Sequence, residues 1–230
     1  MNPFRKFGSN PLPIGVVAFL LGLFSFNANL AQGVGYPQGV YMSFDELLKK
    51  SPSVAVKLEI ERRTPGDIKM VGGNDYKLHP PDKTIAKSTI RKDYFAYSDG
   101  DSLYINGLHY KIQPWYAPVL SDGRYLVVRG GISMYPDIQK EQLNNKAQLG
   151  ILLGPIGGGI QGAKLAMLRF IYVIDKSTNE ITTVTSDYLK HLLAENPVLL
   201  EQFEADAEKA DQAIFVRYLT ELNRFSGEQY

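Results

Sequence analysis

The sequence contains no cysteine. Disulfides, thiolate metal sites, a cysteine nucleophile and a lipidated N-terminal cysteine are therefore excluded. Histidine is scarce. His79, His109 and His191 stand isolated, and no pair has the i,i+4 spacing of a helical zinc site. There is one tryptophan. Neither sign of charge dominates: 25 Lys+Arg against 24 Asp+Glu leave a net charge of +1. That balance gives no reason to expect a nucleic-acid partner. What remains is 230 residues, 44% hydrophobic and 21% charged. This is an ordinary globular composition with room for one or two domains.

The N-terminus carries an export pattern. Arg5 and Lys6 precede an uncharged apolar run, IGVVAFLLGLFSF at 14–26, and small and polar residues lead to Ala31. This is the layout of a cleavable secretory signal. As a helix the run would rise only about 20 Å, against a bilayer core of about 30 Å. Residues 1–31 are thus expected to be removed near Ala31. The address would be the periplasm, the cell envelope or the extracellular space.

Beyond it, Ser43-Phe-Asp-Glu46 has capping-box spacing and predicts a short helix ended before Pro52. Val54, Val56, Leu58 and Ile60 alternate with Ala55, Lys57, Glu59 and Glu61, a half-buried strand. Gly72-Gly73-Asn74-Asp75 predicts a turn. Further strands are predicted at 88–97, 102–105, 108–113, 124–129 and 132–135. Asn106-Gly107 is read as a hairpin turn and Asp122-Gly123 as a surface turn that tolerates a side chain. Short strands with frequent turns over 32–146 point to an antiparallel β sandwich or a partly open barrel. Residues 147–168 are rich in glycine and apolar, with Gly150, Gly154, Gly158 and Gly162 four residues apart. That spacing lines one helix face with hydrogens and permits close helix packing. Pro155 and Gly157-Gly158-Gly159 predict a bend, hence a helical hairpin. Residues 169–230 then read as a β-hairpin about Lys176–Asn179 and C-terminal helices, one capped by Asn196-Pro197. The expected class is α+β.

Four stretches, GVYMSFDELLKKSPS at 39–53, GGNDYKL at 72–78, YFAYSDGDSLYIN at 94–106 and FIYVIDKSTNEITTVTSDYLKHLL at 170–193, resemble a family of uncharacterised exported proteins of Bacteroidetes-type bacteria. The resemblance implies export and an unknown activity. It implies no catalytic residues.

The chemistry searched for is mostly missing. Gly100-Asp101-Ser102-Leu103 spells the nucleophile block of GDSL-type serine esterases, and Gly72–Asp75 spells their G-x-N-D oxyanion block. Their order is reversed, however, and His79 and His191 follow Asp75 and Asp187 by four residues rather than three. A polar turn at 98–102 is the simpler account. Asp99 and Asp101 form a D-x-D pair without the later ligands of a calcium loop. No catalytic residue, metal site or cofactor is assigned. Trp115 and Tyr116, between Pro114 and Pro118, are the candidate stacking platform for a sugar ring. Charge is uneven: 57–92 hold nine basic and five acidic residues, 187–230 four basic and nine acidic. The first expectation is an exported, non-enzymatic envelope or secreted protein that binds a partner. The second is a membrane-associated or self-assembling protein, a homo-oligomer included, acting through Gly150, Gly154, Gly158 and Gly162. The GDSL-like esterase is a distant third.

Overall fold

The computed structural model describes residues 35–82, 84–148, 158–206 and 211–227. The expected signal segment 1–31, and Gly150 and Gly154, lie outside them. In chain order the strands are β1 (Gly39–Tyr41), β2 (Glu59–Arg62), β3 (Tyr76–His79), β4 (Ala96–Ser98), β5 (Leu103–Asn106), β6 (Tyr116–Ser121), β7 (Tyr125–Gly130), β8 (Phe170–Asp175) and β9 (Ile181–Thr183). The helices are α1 (Phe44–Leu48), α2 (Pro65–Val71), α3 (Lys87–Lys92), α4 (Pro136–Gln148), α5 (Gly158–Met167), α6 (Ser186–Leu193), α7 (Pro197–Ala205) and α8 (Gln212–Gly227).

All nine strands of the described residues join one antiparallel sheet in the order β1-β4-β5-β6-β7-β8-β9, with β2 and β3 branching off β6. The sheet stays open, because β1 and β9 do not pair. The α+β class holds. The two stacked sheets of a sandwich do not form: one continuous sheet serves instead. Its branch point is Tyr116, which faces Asn106 of β5 and Tyr76 of β3. A register shift between Val119 and Ser121 then hands the rest of β6 to β7. Such a bulge bends a strand and strengthens its twist.

Alternation along the strands explains the core. Ala96, Leu103, Ile105, Ala117, Leu126, Val128 and Tyr172 share one buried cluster. Their neighbours in sequence face the other way and divide. Tyr97, Tyr104 and Tyr116 pack with Leu58, Leu78 and Ile90. Tyr125, Val127, Ile171 and Val173 pack with Leu189, Phe203 and Leu219 of the C-terminal helices. Both faces are thus dry, as a sheet covered on both sides requires.

Local signals account for much of this. Ser43 accepts the Glu46 amide, but the Glu46 carboxylate takes the amides of Met42 and Ser53 rather than that of Ser43. Half the expected capping box forms, and the other half ties α1 to the following loop. Thr64 and Asp67 make a complete box, with Pro65 in the first turn of α2. Asn196 caps α7 by accepting the Leu199 amide. The hairpin about Lys176–Asn179 forms as β8 and β9.

Three expectations are corrected. Residues 88–92 are helix, not strand, because α3 buries Ile90 in the core beside Leu58 and Leu78. Asn106-Gly107 is not a hairpin turn. The hairpin is β4–β5, closed over Asp99, and Asn106 is a buried tie donating to the carbonyls of Arg91 and Tyr94. Residues 108–113 and 132–135 are loops rather than strands, their turns fixed by bonds such as Met134 N–H to Lys111 C=O.

Gly123 is no permissive surface turn either. A Cβ there would lie 2.5 Å from that of Asn223. Asn223, buried in α8, accepts the Tyr125 amide and donates to the Tyr125 carbonyl at 3.0 and 2.8 Å. It fastens α8 to the β6–β7 turn. Beside it, the Asp122 carboxylate pairs with Lys50 at 3.7 Å and with Lys176. Burial first, and then this carboxylate, push the Tyr36 phenol well above the ordinary tyrosine range. Gly162 is the opposite case: it is exposed, and a methyl would meet none of the described residues within 4 Å. We expect Gly123→Ala to lower stability by about 1–3 kcal/mol through overpacking. Gly162→Ala should leave it equal or raise it by about 0.5–1 kcal/mol through helix propensity. Urea melts of the two variants check both.

Candidate ligand-binding site

The two glycines of Gly72-Gly73-Asn74-Asp75 take φ of +65° and +94°, a region where side chains are strained. Gly73 also needs its bareness. A Cβ would lie 2.6 Å from Trp115 Cδ1 and 2.8 Å from Arg63 Nη1. The turn therefore brings an indole and a guanidinium against the backbone.

Asn74, with no exposed surface, spends its hydrogen-bonding groups on other segments. Its amide donates to Pro114 C=O at 2.8 Å. Its side-chain NH2 donates to the carbonyls of Gln113 and Trp115, and its side-chain oxygen accepts the Gly131 amide at 2.7 Å. Its own carbonyl accepts from Arg63 Nη1 at 2.8 Å. Gly107 lets this happen, since a Cβ there would sit 2.2 Å from Asn74 Nδ2. The loop so clamped holds Lys111, Gln113 and Trp115 at φ of 55°, 86° and 72°. Each such residue costs on the order of 1–3 kcal/mol and persists only where its surroundings over-determine it.

Trp115 is half-buried. Around its ring stand Arg91 at 5.2 Å, Lys77 at 5.3 Å and Arg63 at 6.0 Å. Cations at this range are attracted by the indole quadrupole. Arg63 is only 4% exposed. Two of its nitrogens donate to the carbonyls of Asn74 and Asp67, while buried Nε has no partner. Desolvation is the main cause that pulls its pKa below the ordinary arginine value. Among the described residues, no carboxylate pairs within 4.0 Å with Arg63 or Arg91. Lys77 reaches Glu61 at 4.0 Å, and Glu61 is held at 2.5 Å by His79. The second buried arginine, Arg169, is by contrast satisfied. It pairs with Asp75 at 2.7 Å and donates to the carbonyls of Gly73, Ala166 and Leu168.

The two residues of the expected platform differ in burial. Trp115 offers part of a ring. Tyr116 does not: it is fully buried, and its hydroxyl donates to Ile90 C=O. Trp115 lies in the loop ahead of β6 at φ of 72°, whereas Tyr116 is the first residue of the strand, so the two neighbours meet different surroundings. Sequence reasoning missed Arg63, Lys77 and Arg91 as a group. The basic excess of 57–92 was the available signal, but only the β2–β3 pairing and α3 bring the three to one ring.

Other candidates stay dispersed. Ser102 opens β5 with its amide on the Asp99 carboxylate at 2.7 Å, and no histidine hydrogen-bonds it among the described residues. Both side-chain protons of Asn74 are spent, so the G-x-N-D spelling leaves no oxyanion donor. His109 lies against Phe95, and His191 against Tyr188. Asp99 and Asp101 line a groove of about 750 Å³ with Lys57, Glu59 and Tyr97. Among the described residues no group of three or more His, Cys, Asp and Glu could hold a metal.

A family model described as "Family of unknown function (DUF6563)" matches residues 39–226. The chain belongs to this family. No curated protein and no solved structure matches it. The matched span contains every DUF6563 residue of the Trp115 corner described above.

Asn74→Ala would strip the Gly131 amide and two carbonyls of their partners. We expect a loss of about 3 kcal/mol, at the rate of roughly 1–3 kcal/mol per orphaned buried group, read by urea melts. Emission from the single tryptophan should also shift to the red as the loop relaxes.

Proposed function

We propose that this protein is an exported, non-enzymatic binding protein of the cell envelope or extracellular space, and that the Trp115 corner is its ligand face. The observation that carries this is a half-buried indole on strained backbone, ringed by three cations of which two have no carboxylate within 4.0 Å among the described residues. Strained backbone and uncompensated charge both cost stability, and sites of function are where such costs concentrate. The basic start and apolar run ahead of residue 31 support export. The use of Asn74 as a structural tie, and of Ser102 as a turn residue, weighs against the esterase reading.

A second reading, self-association through the glycine-rich segment, is favoured by the bare Gly162 face of α5. No helix of the described residues is long and apolar enough to cross a membrane. Analytical ultracentrifugation would decide this reading. It stands if the native chain is a dimer that Gly162→Leu dissociates, and falls if the native chain is monomeric.

Trp115 reports on the first reading directly. Iodide should quench its fluorescence about threefold more effectively than caesium, since a cationic collar concentrates anions. Added inert salt should close the gap. Equal quenching by the two ions, or a ring closed to acrylamide, would remove the corner as a ligand face. Cell fractionation with N-terminal sequencing tests export, the expected start being Gln32.

A further inference from the structure

We propose that the Trp115 corner binds the carboxylate or sulfate groups of an acidic polysaccharide. This rests on the reading of the corner as a ligand face, and it adds the chemistry of the ligand.

Arg63 supplies the main reason. A guanidinium that is 4% exposed has lost most of its hydration, a loss that an anion beside it offsets. Its backbone partners at Asn74 and Asp67 hold it in place but bring no net negative charge. Buried Nε carries a hydrogen with no acceptor. Burial is the first cause that lowers the pKa of Arg63 and Arg169 adds to it, while the carboxylates of Asp67, Glu61 and Asp75 offset it only in part. Contrast Arg169, 8% exposed and packed against the same turn, which has Asp75 at 2.7 Å. The fold gives one of the two arginines a contact ion pair and, among the described residues, leaves the other without one beside a half-buried ring.

Arg91 and Lys77 extend the field outward. Arg91 is exposed and has no ion-pair partner among the described residues. Lys77 shares Glu61 with His79 and is the more distant of the two from it. A guanidinium held over an aromatic face keeps its N–H fork available, and that fork matches carboxylate and sulfate bidentately. Three cations around one indole thus offer both charge and a flat apolar surface.

The scale of the apolar surface selects the ligand class. Single-stranded nucleic acid is held by successive aromatic platforms, one base on each. Here the sequence has one tryptophan, and the adjacent Tyr116 is buried. A sugar ring needs one such surface, and its acidic substituents fall within reach of the collar. Repetition of the acid along a polymer would engage the basic stretch from Arg62 to Lys92 as well.

The test uses the purified chain and follows Trp115 emission. The probes are a polygalacturonate oligomer, a chondroitin sulfate oligomer, neutral maltohexaose, inorganic sulfate and an oligodeoxythymidylate. Saturable binding of either acidic saccharide, weakened by salt and absent for maltohexaose, is expected. Arg91→Ala, an exposed position that leaves the core intact, should weaken it about tenfold. Arg91→Lys should recover part, and Lys190→Ala on α6 should change nothing. Maltohexaose binding as tightly as the acids, a response to inorganic sulfate alone, binding of the oligonucleotide alone, or an Arg91→Ala variant of native affinity would each overturn the proposal. In those cases iodide-selective quenching would still support the corner as a ligand face. Equal quenching by iodide and caesium, with no response to any probe, would overturn both.

Discussion

The buried amide of Asn74 is the constraint on which the arrangement of the Trp115 corner depends. It joins three segments far apart in sequence: its own turn, the 107–115 loop and the start of the 131–135 loop. Three positive-φ residues in the second of these have no regular ladder to hold them. A single fully satisfied side chain does it instead; Gly107 clears the space it needs, and Gly73 makes room for Trp115 and Arg63. Buried polar groups of this kind specify one arrangement because every alternative leaves some partner unbonded. Trp115 stands where it does as a consequence, and so does the collar of cations around it.

Around that knot the sheet supplies rigidity rather than chemistry. One face is a single apolar cluster reaching from Tyr41 to Ile174, while the other is divided between tyrosine-rich packing and the C-terminal helices. The division falls along β6, whose register shift changes its partner from β5 to β7. Polar clamps close the seams: Asn223 between α8 and Tyr125, Asp122 among Tyr36, Lys50 and Lys176, and Gln142 between the Ser133 amide and Tyr172. Each puts a hydrogen-bonding or charged group where the apolar faces meet, so burial costs little.

Membership of a family of unknown function leaves the residues themselves as the source of a reading. The serine, histidine and asparagine that spell an esterase are separated by the fold or consumed in it. The cations near Trp115 are brought together by the same fold, and Arg63 among them lacks the acid that Arg169 has.

The sequence by itself determined the elements whose signals are local. The caps at Ser43 and Asn196, the turn at Gly72–Asp75 and the hairpin about Lys176–Asn179 form. The strands expected at 102–105 and 124–129 appear one residue later, while of the period-two stretch 54–61 only the end from Glu59 is strand. Helix α2 also forms, from a Thr64–Asp67 box that was written in the chain but not read. Only the tertiary structure decided the rest. Residues 88–92 become helix because Ile90 has an apolar site to fill. Asn106-Gly107 gives up its turn because Asn106 has buried carbonyls to satisfy and Gly107 must admit Asn74. Trp115 and Tyr116 part company because the loop that Asn74 clamps holds Trp115 at positive φ ahead of β6, while Tyr116 enters the sheet as its branch point. Propensity and spacing act within a few residues, whereas the closest approach of Arg63, Lys77 and Arg91 to one ring depends on partners 24 to 52 positions away from it. No local pattern encodes such a distance, and the packing of the whole sheet sets it.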